Sequence, residues 1–464
     1  MKAETPAFDQ VTFTDTAAKP VAIAALALSM LLASLGVSIA NVALPELART
    51  FASPFADLQW VVLAYLLGVT TMVVIAGRLG DRFGHRRVLL AGLALFTAAS
   101  ILCGSAPTLG LLIAARAIQG MGGAMLMALT VTLVRETVAP GRLGTAMGLL
   151  GTMSAIGTAL GPSLGGLLLA GPGWRALFLV MAPAGLAALV LAARTLPAST
   201  AKAGARGFDI AGMLLLAIAL GTYALSMTAG GNGLPRILLL AGAALAGLLF
   251  LLVERRAAFP LVPPGAMREC GLAAALGVNV IVAAVMMATL VVGPFHLSRA
   301  LGLDAIAVGL VMSVGPAISI LGGVPAGRLV DRFGAGRISI AGLLLLTAGA
   351  LALALVPLAA GIAGYVAAII LLTPGYQLFQ AANNTAVMAD VPADRRGVVS
   401  GLLALSRNLG LVTGASVMGA LFAWASGAAD VATAAPDAVA HGLHVTFGVA
   451  AALLAVSLGV MVRR

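Results

Sequence analysis

Charge is scarce in this chain of 464 residues: Asp, Glu, Lys and Arg make up 9% of it, against roughly a quarter in an ordinary soluble domain. Lysine is nearly missing. Lys2, Lys19 and Lys202 are the three present, none in a G-x-x-x-x-G-K-[ST] context, so the chain has no P-loop and no use of ATP is expected. Cysteine is limited to Cys103 and Cys270, which fall near opposite ends of apolar runs, so no disulfide between them is expected and both read as structural thiols. His296, His441 and His444 share no metal-ligand spacing and are expected as hydrated residues near the ends of spans; no metal and no cofactor is expected. The deep polar residues contain no acid, base and nucleophile set, which argues against an enzyme. The net charge of +11 would suggest nucleic acid in a soluble protein, but the basic residues lie in short loops without interleaved aromatics, so no nucleic-acid partner is expected.

What the chain has in abundance is apolar length. Hydrophobic residues are 61% of it and the mean hydropathy is +1.10. Runs of about 20 apolar residues, enough to cross a hydrocarbon core, recur along nearly the whole chain. Fourteen spans are predicted near 21–43, 58–77, 88–106, 108–133, 143–168, 175–194, 210–228, 236–253, 271–293, 306–327, 338–356, 362–387, 397–424 and 441–461, after a soluble tail over 1–20. With both termini cytoplasmic, 21 basic residues fall inside and 4 outside, leaving Arg116 and Arg407 within the membrane. An error of one span would scramble that split. The excess of Arg over Lys and the wealth of Ala, Gly and Leu lean towards a bacterial source, hence a multi-pass protein of the bacterial inner membrane.

A charged loop is written twice. "GRLGDRFGHRR" at 77–87 follows span 2, and "GRLVDRFGAGR" at 327–337 follows span 10, an offset of 250 residues. If the copies hold the same place in equivalent halves, spans 7 and 8 are an inserted hairpin. The loops resemble the signature between helices 2 and 3 of major facilitator superfamily transporters. "SIANVALP", "LQWVVLAYLL", "RAIQGMGGA", "GTALGPSLGG" and "GWRALF" are similar to stretches of its fourteen-helix drug:proton antiporter family. The resemblance implies an all-α polytopic membrane protein of the major facilitator fold: a tail over 1–20, a six-helix bundle over 21–200, inserted helices over 201–256 and a second bundle over 257–464.

The same resemblance casts Gly77, Asp81, Arg82, Gly84, Arg86 and Arg87, with Asp331 and Arg332 in the second copy, as cytoplasmic gating loops; topological anchoring alone would also account for the arginines. Gly157, Gly161 and Gly165, followed by Gly166, leave one helix face bare for packing, and Pro162 within "GPSLGG" matches a motif that the resemblance associates with exporters. Arg116 lies about 12 Å into span 4, a depth at which an arginine faces a cavity or a partner, or bonds the backbone carbonyls of a neighbour. Gln119 shares its face. Arg407, beside Asn408 in span 13, is open to the same two readings. Gln377, Gln380 and Asn384 line up on one face of span 12 beyond Pro374, as interhelical glue or as a polar cavity wall. In this fold the first and fourth helices of each half line the cavity, which brings in Asn41 and Asn279. Trp60 and Tyr65 are expected as interfacial anchors.

One departure stands out. The family's usual span 1 pattern has an aspartate where this chain has Gly36, and every Asp and Glu falls at or beyond the end of a span. Arg116 and Arg407 then predict an electropositive cavity that favours anionic, zwitterionic or neutral amphipathic cargo over organic dications. The expected function is secondary active export of small amphipathic compounds by alternating access, proton-coupled, by a monomer whose partners are its substrate, protons and the bilayer. Uptake or exchange of an organic anion, and a non-transporting membrane receptor, are the alternatives.

Overall fold

The computed structural model describes residues 18–138, 143–197, 210–228, 234–257, 270–389, 396–427 and 434–462. The chain opens with α1 (Ala18–Phe51), α2 (Phe55–Phe83), α3 (His85–Ser105), α4 (Leu109–Thr137), α5 (Leu143–Ala170) and the broken pair α6 (Trp174–Leu179) and α7 (Met181–Thr195). Then come α8 (Ile210–Thr228) and α9 (Leu234–Arg256). The rest is α10 (Cys270–Phe295), α11 (Ala305–Phe333), α12 (Ala335–Leu355), α13 (Gly361–Ala389), α14 (Arg396–Thr413), α15 (Gly419–Ala425) and α16 (Pro436–Val462). Two π-helical turns interrupt the second half: His296–Ala300 extends α10, and Gly414–Met418 joins α14 to α15.

The written repeat is also a structural one. α2 and α11 are both 29 residues long, α3 and α12 both 21, and α4 and α13 both 29. Each copy of the charged loop turns on a single glycine between two helices. Gly84 at φ 93° and Gly334 at φ 83° occupy left-handed backbone that a side chain would strain, which stops one helix and starts the next in a single residue.

Thirteen helices among the described residues are long and apolar enough to cross a membrane, and α8 contributes a shorter apolar stretch, Leu214–Met227. The predicted seventh span corresponds to α8, which is 19 residues long. Leu234, Ile237 and Leu238 on α9, Leu321 on α11 and Trp424 on α15 are exposed, as expected where the solvent is lipid and burying apolar side chains brings no gain.

Within the first bundle α1 packs on α5 and α7, and α4 on α2 and α3; in the second, α12 packs on α13 and α16, and α10 on α14. The bundles meet along α5 and α11, with smaller contacts of α1 with α10 and of α2 with α14. α9 packs chiefly on α8, which itself lies against α2 and the π turn after α14, so the hairpin touches both bundles through one helix.

Candidate functional site

A cavity of about 370 Å³ lies between the two bundles. α1, α4 and α5 wall it on one side, and α10, α11, α13 and α14 on the other. Its polar groups are mostly small hydroxyls. Ser34 on α1 and Ser154 on α5 share a hydrogen bond at 2.7 Å, and Gln377 Nε2 donates to the Ser319 carbonyl at 3.0 Å. Met127, Met286 and Met312 supply soft, adaptable apolar walls from three different helices. Arg407 is the one charged residue among the described residues of the lining, and no Asp or Glu is among them.

The end away from the charged loops is shut. A Cβ added at Gly166 of α5 would lie 2.4 Å from the Ala305 carbonyl oxygen, and one at Gly309 of α11 would lie 2.4 Å from that of Pro162. The two backbones touch because both residues lack a side chain. Gly157 and Gly161 face α1 instead, against the Leu31 carbonyl and Ser38, and Gly165 lies between Ile39 and Leu177. The glycine run of span 5 thus serves two partners: one face holds the first bundle together and the next face meets the second bundle. Nearby, Phe55 packs edge-on against Phe295 at 4.9 Å and Phe422 at 5.8 Å, and Gln59 Nε2 donates to the Ala415 carbonyl at 2.6 Å. Ala415 lies in the π turn, where the altered helical register presents carbonyls differently from a regular helix. Sequence reasoning passed over Gly309, Phe55 and Gln59, since each looks like an ordinary residue of an apolar span.

Arg116 is not in the cavity lining, which corrects the expectation drawn from its depth. It is fully buried in the first bundle, where Nε donates to the Val61 carbonyl at 2.9 Å, Nη2 to that of Gly36 at 3.0 Å and Nη1 to Gln119 Oε1 at 2.6 Å. The guanidinium lies 4.3 Å over the ring of Tyr65 and 5.8 Å from that of Phe178. Gln119 passes the chain on to Ser100 Oγ at 2.8 Å. Tyr65 is no interfacial anchor: it is buried under the guanidinium and its hydroxyl donates to the Ala33 carbonyl at 2.8 Å. A Cβ at Gly36 would sit 2.8 Å from that hydroxyl, so the ring packs into the space where a side chain at this position would begin. Here the arginine is held by neutral acceptors and an aromatic face.

The predicted amides also divide. Gln377 reaches the cavity. Asn41 is buried and bonds the Val37 and Ser38 carbonyls of its own helix. Asn279 ties α10 to α14 through Ser406 Oγ at 2.8 Å and the Leu403 carbonyl at 3.3 Å. Gln380 is half-buried and Asn384 exposed, and neither is part of the described lining. At about 100° per residue both lie within the arc of α13 that carries Tyr376, Thr373 and Gln377, so they continue that face beyond the lining, towards the loop end of the helix.

In the first loop, the side chain of Asp81 lies outside what the structure describes. Gly77 has open space around it, Arg82 stacks on Phe83, Arg86 donates to the Ala193 carbonyl and Arg87 is exposed. His85 Nδ1 meets Glu136 Oε1 at 2.7 Å, which ties the loop to the end of α4. Asp331 and Arg332 of the second copy are exposed, with Arg332 stacked on Phe333 as Arg82 is on Phe83. His296, expected to be hydrated, is buried and stacks on Tyr365, while His444 bonds the Val356 carbonyl and His441 is exposed.

The family model described as Major Facilitator Superfamily matches residues 26–415 and 274–463. The chain is 31% identical to the multidrug efflux pump LfrA of Mycolicibacterium smegmatis over 87% of its length and 80% of that protein's. It is 30% identical to the riboflavin transporter RibZ of Clostridioides difficile over 87% of its own length and 88% of that protein's. Its fold matches the crystal structure of a POT family transporter in complex with 5-aminolevulinic acid, with a TM-score of 0.72 over 95% of this chain and 96% of that one, at 13% identity. The repeated loops, the paired bundles and the cavity between them agree with these likenesses: the chain belongs to the Major Facilitator Superfamily and is a polytopic membrane transporter, not an enzyme.

Proposed function

We propose that this transporter exports small amphipathic compounds by alternating access, driven by proton antiport, across the bacterial inner membrane with both termini cytoplasmic. The observation that carries this reading is the space of about 370 Å³ between two bundles that touch tightly at the end away from the charged loops. That volume is within the ordinary range of small-molecule sites, roughly 300–1,000 Å³. Rocking the bundles about the cavity would break the contacts of Gly166 with Gly309 and of Gln59 with Ala415 and form new ones at the loop end. In this reading the halves are 21–200 and 257–464, the hairpin over 201–256 rides on both, and the loops around Gly84 and Gly334 make the closing contacts on the cytoplasmic side. The direction follows from the glycine run of span 5 and from the likeness to an efflux pump.

Expression in a pump-deficient host should lower the accumulation of its substrates, and adding a substrate to energised inverted vesicles should partly collapse their pH gradient. A vesicle gradient that does not respond to a proven substrate would end the antiport part of the proposal. The cationic cavity favours a second reading, uptake or exchange of an organic anion. Higher accumulation in expressing cells would select it, and no change with any compound would favour a non-transporting role.

A further inference from the structure

We infer that Arg407 is an anion-recognition site and that the cargo is an amphipathic organic anion or zwitterion carrying a carboxylate, sulfonate or acidic phenol. Arg407 lies eleven residues beyond the start of α14 at Arg396, about 16 Å along the axis and so deep in the bilayer. It is exposed to the cavity, and it forms no hydrogen bond or ion pair with any described residue. The two deep arginines of this protein are therefore in opposite situations. Arg116 has three oxygen acceptors and an aromatic ring. Arg407 faces the cavity and has no counter-charge among the described residues. A guanidinium at that depth is costly and ordinarily finds a partner, and nothing in the described lining supplies one, which leaves the cargo to do so.

The shape of the lining narrows the class. A guanidinium presents a planar fork that matches two oxygens of one anionic group, a geometry an ammonium ion cannot reproduce. Gln377 adds an amide on another wall. Met127, Met286 and Met312, with Tyr376, offer polarisable surface for a planar or aromatic body. One charged pole and a soft apolar remainder describe an amphipathic anion. An organic cation would enter a cavity whose one described charge repels it.

This inference rests on the reading of the cavity as the transport site, and the test separates the two. Fluorescein and rhodamine 123 share a xanthene body and carry opposite charge near neutral pH. Binding to the purified full-length protein is read by fluorescence anisotropy, and accumulation is read in expressing and control cells. Wild-type protein should bind fluorescein and disfavour rhodamine 123, a comparison that needs no variant. Arg407→Gln should weaken fluorescein binding by about tenfold or more, roughly 1.4 kcal/mol, with Arg407→Lys in between and no loss of rhodamine 123 binding. Undiminished fluorescein binding by Arg407→Gln, or none by wild type, overturns the anion site. If rhodamine 123 is exported while fluorescein is not bound, the exporter stands and the anion site falls. If fluorescein binds through Arg407 but its accumulation is unchanged, the site stands and the export reading falls.

Discussion

Valine in place of Gly309 should abolish transport while the protein still folds and reaches the membrane. An added Cβ there would sit 2.4 Å from the Pro162 carbonyl oxygen and 3.0 Å from the Gly166 Cα, and both are backbone atoms that no rotamer change can move aside. The clash is between bundles rather than within one, so each bundle keeps its own packing and only the closed contact is lost. The transporter would then be held open at the end away from the loops, and turnover should fall by at least about an order of magnitude, since a state destabilised by more than ~1.4 kcal/mol is populated at least tenfold less. Two measurements check this. Substrate accumulation should return to the level of control cells. A cysteine placed at Ala415, whose carbonyl Gln59 holds in the closed form, should become reactive to a membrane-impermeant maleimide only in the valine background. Gly277→Ala is the control, because nothing lies within 4 Å of a Cβ at Gly277. Full transport by the valine variant would show that this contact does not gate the cavity.

Arg116→Met should act on stability rather than on substrate preference. The substitution removes three hydrogen bonds and the ring contact from a fully buried site, and it leaves the Val61 and Gly36 carbonyls and Gln119 Oε1 facing a thioether. Losing such partners in a buried network costs about 2–4 kcal/mol, of which the lost packing is a part. A fall of roughly 5–10 °C in the melting temperature follows, by the usual 2–4 °C per kcal/mol for larger domains. Arg116→Lys should rescue little, because one ammonium ion cannot reach acceptors on α1, α2 and α4 in the fixed directions of a guanidinium. Arg407→Met, the same exchange in the cavity wall, should leave the melting temperature unchanged. Thermal unfolding of the purified variants, followed through the reactivity of buried Cys103, reads both. Equal melting temperatures for the wild type and Arg116→Met would contradict the structural role.

Much of the architecture could be read from residues alone. Apolar length and the asymmetry of basic residues marked out the spans, because a bilayer demands a set length of helix and discriminates charge at its two faces. The repeated loop announced two related halves, and its glycines were in the right places to end helices, since Gly84 and Gly334 alone can adopt that backbone without strain. The glycine spacing of span 5 announced close packing but not its partners. Gly157 and Gly161 meet a helix of their own bundle, Gly166 meets α11, and no local pattern distinguishes a seam that stays shut from one between moving bodies.

The deep arginines mark the boundary most clearly. Composition and period predicted that Arg116 and Arg407 lie within the membrane, with every Asp and Glu at or beyond the end of a span, and the quoted motifs implied a transporter of this superfamily. Sequence position measures depth along a helix. Which way a side chain points relative to the neighbours depends on how each helix is rotated and what lies beside it. Packing made that choice: α1 and α2 offer carbonyls and the Tyr65 ring to Arg116, whereas α14 turns Arg407 towards the space between the bundles, leaving one cation structural and the other free to meet a ligand.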